Sequence, residues 1–132
     1  MMERTSASPP HLTFAGMSQV VRAGPWAFTS GQVALGSDGE IVGVGDARRQ
    51  ADQCFDNVEM ALGEAGLALR DVVKLTCFMT SAAHFAGYAD AKRERFEHRP
   101  PPASTTVVVA ALLDERLLLE VEAVAVVSAL DH

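Results

Sequence analysis

The clearest hydrophobic pattern in the chain is a helical repeat between residues 47 and 65. Asp46 stands before the repeat as a candidate N-cap, and Gly66 follows it as a residue suited to a helix C-terminus. The repeat therefore predicts an amphipathic helix over 47–65, one face of which is formed by apolar side chains at helical spacing: Ala51, Phe55, Val58, Leu62 and Ala65.

A second helical repeat lies just before a run of prolines. Thr80 or Ser81 can cap its N-terminus, and "RPPP" at 99–102 ends it, because consecutive prolines cannot continue a helix. The pattern predicts a helix over 82–97 with these side chains at helical spacing: Phe85, Tyr88, Ala89, Lys92 and Phe96.

The remaining apolar segments are short and bounded by turn-forming residues, which is typical of β-strands. Trp26 and Phe28 alternate along one of them, and we expect both side chains in the core. Asp114 and Glu115 are expected in a hairpin loop between the last two strands. The segments predict strands over 18–23, 26–30, 72–79, 104–110 and 117–127, with a further short strand at 41–42.

This order of elements predicts the fold class. Helices alternate with strands in the middle of the chain, and a hairpin is expected to close it. The prediction is an α+β sandwich with two helices packed on one face of a mixed sheet. Residues 1–10 are polar with two prolines and are predicted to form a flexible tail, which leaves 11–132 as a single domain.

The last predicted strand is apolar on both of its faces. One face carries Leu117, Leu119, Val121, Ala123, Ala125 and Val127, and the other carries Leu118, Glu120, Glu122, Val124 and Val126. The first face is expected to pack against the helices. Because the second face is still mostly apolar, we expect another subunit to cover it in a homo-oligomer. A carboxylate at such a junction would be partly desolvated and suited to proton transfer.

Composition and charge narrow the function classes. The net charge of −6 over 132 residues disfavours nucleic acid and anionic membranes as partners, since both attract cationic surfaces. No segment is apolar over the length of a membrane span, and the N-terminus does not resemble a signal peptide. Cys54 and Cys77 lack metal-site spacing; a single disulfide between them stays open, but two free thiols in a reducing compartment fit better. We therefore expect a cytoplasmic protein without a bound metal.

Several segments, in this order, resemble the RidA (YjgF) family over nearly the whole chain after residue 18. They are "SGQV" at 30–33, "CFDNVEMALGEAGL" at 54–67, "DVVKLTCFMT" at 71–80, "PPAST" at 101–105 and "LEVEAVAVV" at 119–127. The resemblance implies a chorismate-mutase-like α+β subunit and a homotrimer with clefts between subunits. It also implies cofactor-free hydrolysis of reactive imines and enamines, such as 2-aminoacrylate, to a keto acid and ammonia.

The resemblance also identifies where this chain departs from the family. The arginine that grips the substrate carboxylate in the best-known members is replaced by Ser104. A typical tyrosine corresponds to Met17, and a typical cysteine corresponds to Thr106. A typical asparagine maps near Ala89, with Tyr88 beside it. The positions that persist are Ser30, Gly31 and Glu120.

The leading hypothesis is a trimeric RidA-like enzyme for an imine, an enamine or a related carbonyl-derived intermediate. Glu120 would hold a water molecule and carry the proton. The residues expected to bind substrate are Ser30, Gly31, Ser104, Thr106, Met17 and Tyr88. Without the arginine a simple 2-imino acid is a poor substrate and a more neutral one fits better, unless Arg22 or Arg99 replaces the missing cation.

Two other functions remain open from the sequence. The chain could be a non-catalytic trimer that binds a ligand or partner protein in its clefts, and a closed pocket around Glu120 would argue against this alternative. An endoribonuclease is the third hypothesis, which the negative charge disfavours. The role of Glu122 is left open between function and a surface or interface charge.

Overall fold

A six-stranded mixed sheet forms the centre of the fold in the computed structural model, which describes residues 3–97 and 100–127. The strands lie in the order β1-β2-β3-β6-β4-β5. Only β4 and β5 pair in parallel, and all other neighbours are antiparallel. The strand bounds are β1 Arg4–Ala7, β2 Val20–Ala23, β3 Trp26–Thr29, β4 Val72–Met79, β5 Ala103–Val108 and β6 Leu119–Val126.

Two α-helices pack on one face of this sheet, as the sequence predicted. Helix α1 spans Ala47–Glu64 and α2 spans Phe85–Arg95. The ring of Phe55 in α1 stacks on Tyr88 of α2 with ring centroids 5.6 Å apart, and it meets Phe96 edge-on at 5.4 Å. These aromatic contacts join the two helices above the sheet.

Both predicted ends of α1 are confirmed. The Asp46 carboxylate accepts a hydrogen bond from the Arg49 amide at 3.1 Å, which satisfies a free N–H of the first turn. Gly66 follows the C-terminus at φ +80°, a backbone angle that costs glycine little. The second helix is preceded by a 3₁₀ turn over Ala82–His84, and the Ser81 hydroxyl caps that turn by accepting from the Ala83 amide.

The N-terminal segment differs from the predicted flexible tail. Arg4–Ala7 form β1, an edge strand that pairs with Val20–Ala23. The four residues carry no buried apolar alternation, so the hydrophobic pattern could not reveal the strand. Their pairing comes from backbone hydrogen bonds to the neighbouring strand, which any side-chain sequence except proline can make.

The predicted closing hairpin is wrong. β4 lies between the last two strands, pairing in parallel with β5 and antiparallel with β6. The connection over 109–118 therefore crosses from one side of β4 to the other. That connection is too long for a two-residue hairpin turn and lacks the Asn-Gly type of signal that marks one. The segment at 41–42 likewise contributes one isolated bridge, between Leu35 and Ile41, in place of the short strand.

The prediction that Trp26 and Phe28 lie in the core is also wrong. Their side chains are 42% and 47% exposed, whereas Ala27 and Thr29 face the helices and are buried. Alternation identifies two faces of a strand, but it does not show which one is covered. Trp26 and Phe28 pair with Val126 and Val124.

We call the helix-free side of the sheet the open face. It carries Trp26, Phe28, Phe78, Val124 and Val126, with Glu120 and Glu122 among them. The opposite face of β6 is buried under the helices, as predicted. No helix among the described residues is long and apolar enough to cross a membrane.

Candidate functional site

Glu120 lies on β6 where the sheet brings it against the segment that follows β3. Gln32 and Val121 exchange backbone hydrogen bonds of 2.7 and 2.9 Å, so Gly31 is placed beside the Glu120 side chain. A Cβ atom at position 31 would overlap the Glu120 carboxylate. The side chain can adopt this position only because residue 31 is glycine.

The Glu120 carboxylate and Gly31 border two clefts. One has a volume of about 290 Å³ and is mostly apolar, with Phe14, Met17 and Leu117 among its lining residues. The other, of about 300 Å³, lies towards Phe78 and Glu122. Met17, Gly31 and Glu120, three residues selected from the sequence, therefore share one cleft.

Burial of the half-buried Glu120 raises the pKa of its carboxyl, and the nearby negative charge of Glu122 raises it further. Phe78 lies opposite Glu120 on β4. A carboxyl whose ionised form is disfavoured holds its proton closer to neutral pH. The Glu120 carboxyl is therefore protonated more readily than an ordinary glutamate.

Two buried glutamines line the apolar cleft, and the sequence analysis missed both. Gln32 donates through Nε2 to Gln19 Oε1 at 2.6 Å and to the Ser30 carbonyl at 3.1 Å. The exposed fractions of Gln19 and Gln32 are 2% and 1%. Gln32 follows Gly31 in the segment after β3, and nothing in the local sequence distinguishes it from a solvated glutamine.

The Ser30 hydroxyl is used within the fold. It donates to the Ser18 carbonyl at 2.7 Å, and the Ser30 amide donates to the Gln19 carbonyl at 2.9 Å. These bonds fix the backbone that leads into Gly31. Ser30 therefore borders the site by its position in the chain, while its hydroxyl supports the loop.

The other predicted residues lie on the opposite side of the sheet. Ser104 and Thr106 of β5 pair with Leu75 and Cys77, whose side chains are buried under the helices. Tyr88 is also buried there, in α2. The seven candidates thus form two groups: Met17, Ser30, Gly31 and Glu120 near the end of the sheet, and Tyr88, Ser104 and Thr106 at the β5 edge. One subunit does not bring the two groups together.

Of the two arginines suggested as replacements, the structure describes Arg22 alone. Arg22 donates to the Gly24 and Ala65 carbonyls at 3.1 and 2.9 Å, so its guanidinium is bound to backbone. Arg99 lies outside the described residues. Lys92 of α2 is the cation that reaches Ser104, with its Nζ donating to Ser104 Oγ at 3.1 Å.

The two cysteines are buried and free. Burial raises the pKa of the Cys77 thiol to about 12, and the pKa of Cys54 is raised well above its ordinary value for the same reason. Both thiols remain protonated and are poor nucleophiles at neutral pH. Within the described parts of the chain, no group of three or more His, Cys, Asp and Glu side chains could hold a metal ion.

Comparison with known proteins gives a consistent result. A family model described as "Endoribonuclease L-PSP" matches residues 9–127. The chain is 33% identical over 110 residues to a RutC family protein of Pyrococcus abyssi, covering 82% of this chain and 84% of that protein. It is 35% identical over 111 residues to the 2-iminobutanoate/2-iminopropanoate deaminase of Escherichia coli K12, with coverage of 82% and 84%.

Solved structures agree with these matches. The crystal structure of E. coli TdcF with bound serine has a TM-score of 0.79 at 32% identity, covering 97% of this chain and 98% of that one. The Rid protein YyfA of Yersinia pestis has a TM-score of 0.87 at 26% identity, with coverage of 95% and 100%.

The two causes of the raised Glu120 pKa predict how it responds to substitution. Glu122→Gln removes a neighbouring negative charge, so the ionised form of Glu120 becomes less costly and its pKa falls. Because burial is the larger cause, that pKa stays above the ordinary glutamate value. A ¹³C NMR titration of the Glu120 carboxyl, in the wild type and in Glu122→Gln, measures the pKa of Glu120 in each protein.

Glu115→Gln is the matched control, since Glu115 is an exposed acid in the 109–118 connection. It should leave the Glu120 midpoint unchanged. An unshifted midpoint in Glu122→Gln would show that the two carboxylates do not interact.

Proposed function

The chain belongs to the RidA (YjgF) family, which the endoribonuclease L-PSP model describes, and we propose that it hydrolyses a reactive imine or enamine with Glu120 as the proton carrier. The observation that supports this most directly is the half-buried Glu120 carboxyl, which has a raised pKa and borders a cleft. Relatives of this chain are named as deaminases of 2-imino acids, such as the E. coli K12 protein.

The proposed reaction adds water across a C=N bond and expels ammonia. An enamine first gains a proton on carbon and loses one from nitrogen, which gives the imine. Glu120 then takes a proton from the attacking water as the C–O bond forms, and it delivers that proton to nitrogen. The C–N bond of the resulting carbinolamine breaks as the hydroxyl proton moves to nitrogen, so that ammonia leaves and a carbonyl product remains. No cofactor enters this sequence of steps, because each of them is a proton transfer or the addition or loss of a neutral molecule.

We propose that the complete site forms between two subunits of a homotrimer. The two groups of candidate residues lie on opposite faces of one sheet, so a second subunit is needed to join the cleft of Glu120 to the β5 edge of its neighbour. The apolar open face supports assembly, since Trp26 and Phe28 are large side chains that water would otherwise surround.

The substrate is proposed to be small, and a simple 2-imino acid is a poor one. The solved structure of E. coli TdcF contains serine, which is the size of ligand that fits clefts of about 300 Å³. In this chain Ser104 supplies a hydroxyl where a bidentate guanidinium would hold a carboxylate more strongly.

Ribonuclease activity, which the family model's description mentions, has less support here. The chain is acidic, and several cations of its helices already pair with carboxylates: Arg48 with Asp52 and Glu94, Arg93 with Asp90, and Arg95 with Asp52 and Asp56. Paired cations attract phosphates less strongly than free ones.

The open face predicts a stable trimer. Burying Trp26, Phe28 and their neighbours should hold three subunits together at micromolar concentration. Multi-angle light scattering measures the mass, expected to be three times the 14.0 kDa of the chain. Phe28→Glu should lower that mass. A monomeric wild-type protein would contradict both the assembly and the shared site.

Glu120→Gln should abolish most of the activity while leaving the trimer and its melting temperature nearly unchanged. The amide preserves the shape of the side chain but cannot carry a proton, and turnover should fall by about 10²-fold or more. Ammonia release measures the rate, and Glu120→Asp should recover part of it.

The other outcomes for Glu120→Gln separate the alternatives. An unchanged rate in a well-folded variant would favour the non-catalytic binding protein. A variant that no longer assembles would show that Glu120 is structural.

Ser104→Arg should raise the hydrolysis of 2-aminoacrylate by about tenfold, since it adds a charge-assisted bidentate contact to the substrate carboxylate. Thr105→Arg is the matched control, because Thr105 points to the opposite face of the same strand. Ammonia release from 2-aminoacrylate measures both. A wild-type rate equal to that of the E. coli K12 deaminase would contradict the predicted substrate preference.

A further inference from the structure

Two buried glutamines give the apolar cleft beside Glu120 a small polar area in its wall. Gln19 lies just before β2 and Gln32 follows Gly31, and both border the cleft of about 290 Å³. Because both side chains are almost completely buried, an amide donor or acceptor left without a partner is costly for the fold. We call Gln19 and Gln32 the amide pair.

Hydrogen bonds within the fold fix the orientation of the amide pair. Gln32 Nε2 donates to the Ser30 carbonyl at 3.1 Å and to Gln19 Oε1 at 2.6 Å. Because a backbone carbonyl can only accept, the first bond identifies the nitrogen of Gln32. The second bond then identifies the oxygen of Gln19.

The other polar atom of each amide is left without a partner among the described residues. These atoms are Gln19 Nε2, a donor, and Gln32 Oε1, an acceptor. Within the described chain, Tyr88 Oη is the one side-chain polar atom that is fully buried without a partner, so both amide atoms reach accessible space. The space that Gln19 and Gln32 border together is the cleft.

The rest of the cleft wall suits hydrocarbon. Leu12 and Leu117 are buried in it, whereas Phe14, Met17 and Leu113 are exposed apolar side chains along its border. Exposed apolar groups around a cleft gain free energy when a ligand covers them. A mostly apolar cleft with a few fixed polar atoms is the usual form of a site for a small organic molecule.

The free atoms of the amide pair select the polar group of such a molecule. A carboxamide can accept from Gln19 Nε2 through its oxygen and donate to Gln32 Oε1 through its nitrogen. A ketone can accept but not donate. A carboxylate cannot donate either, and its charge would face the Glu120 carboxylate across the same cleft.

We propose that the amide pair is a subsite for an uncharged carboxamide of the substrate, whose hydrocarbon chain lies against the apolar wall of the cleft. Gln19 supplies the donor and Gln32 the acceptor. The proposal rests on the proposed function and narrows its substrate to an imine or enamine that also carries a carboxamide. The amide pair binds this group and takes no part in proton transfer.

The test compares hexanamide, heptan-2-one and hexanoate, which share a pentyl chain and differ in the polar group. NMR titration of the assembled protein gives each dissociation constant. Hexanamide should bind about tenfold or more tightly than heptan-2-one, which leaves the buried Gln32 acceptor unpaired, and hexanoate should bind most weakly. Acetamide should bind about tenfold or more weakly than hexanamide, because it lacks the chain that covers the apolar wall. The side-chain NH₂ signals of Gln19 and Gln32 should shift when hexanamide binds.

Gln19→Glu changes the free donor and preserves the contact within the pair. The carboxylate retains an oxygen that accepts from Gln32 Nε2, but it has a second oxygen in place of Nε2. Hexanamide binding should weaken by about tenfold or more. Gln53→Glu is the matched control, since it introduces the same charge on α1 at a side chain that bonds Asn57 and does not border the cleft. It should leave hexanamide binding unchanged.

The outcomes separate this proposal from the catalytic one. Glu120→Gln should still bind hexanamide, because its defect lies in proton transfer. No binding of hexanamide, or equal binding of hexanamide and heptan-2-one, would overturn the subsite and leave the role of Glu120 standing. An equal loss in Gln19→Glu and Gln53→Glu would also overturn it, since general charge would then explain the effect. If Gln19→Glu does not fold, the probe series and the NH₂ signals of the wild type decide.

Discussion

The central position of β6 determines most of what this fold can do. Because β6 pairs with β3 on one side and β4 on the other, one of its faces is sealed beneath α1 and α2. The other face holds Glu120 and Glu122 among apolar neighbours. A charged group at that position loses part of its hydration, and the same pairing places Gly31 close enough to exclude a Cβ atom. The raised pKa of Glu120 is thus a consequence of strand order.

The sequence could predict the elements whose side chains repeat with a clear period. Helix α1, its Asp46 cap and the buried face of β6 all follow from local spacing. Which strands become neighbours in the sheet does not follow from local spacing. The predicted closing hairpin was wrong because nothing in 104–127 indicates that β4 lies between the two strands. Trp26 and Phe28 were misplaced for a related reason, since alternation does not show which face of a sheet the helices cover.

The candidate site residues also divide into those that local spacing placed correctly and those whose position depends on strand pairing. Residues identified near Glu120 share a cleft, whereas Ser104 and Thr106 alternate onto the helix side of β5. A linear motif does not record this separation, because side-chain direction depends on the register of a strand with its neighbour. Gln19 and Gln32 were overlooked for the opposite reason. Each is an ordinary polar residue in the sequence, and only burial makes its amide a fixed part of the cleft wall.

Lys92 shows how charge can be supplied from outside the element where it is sought. On the sequence, a lysine in a basic helix is most simply a solvated surface group, and attention falls on β5, where the hydroxyl of Ser104 suggests that positive charge is missing. In the fold, the Lys92 side chain of α2 reaches that same hydroxyl of β5, so a positive charge from a different element lies beside the position where the strand itself carries none.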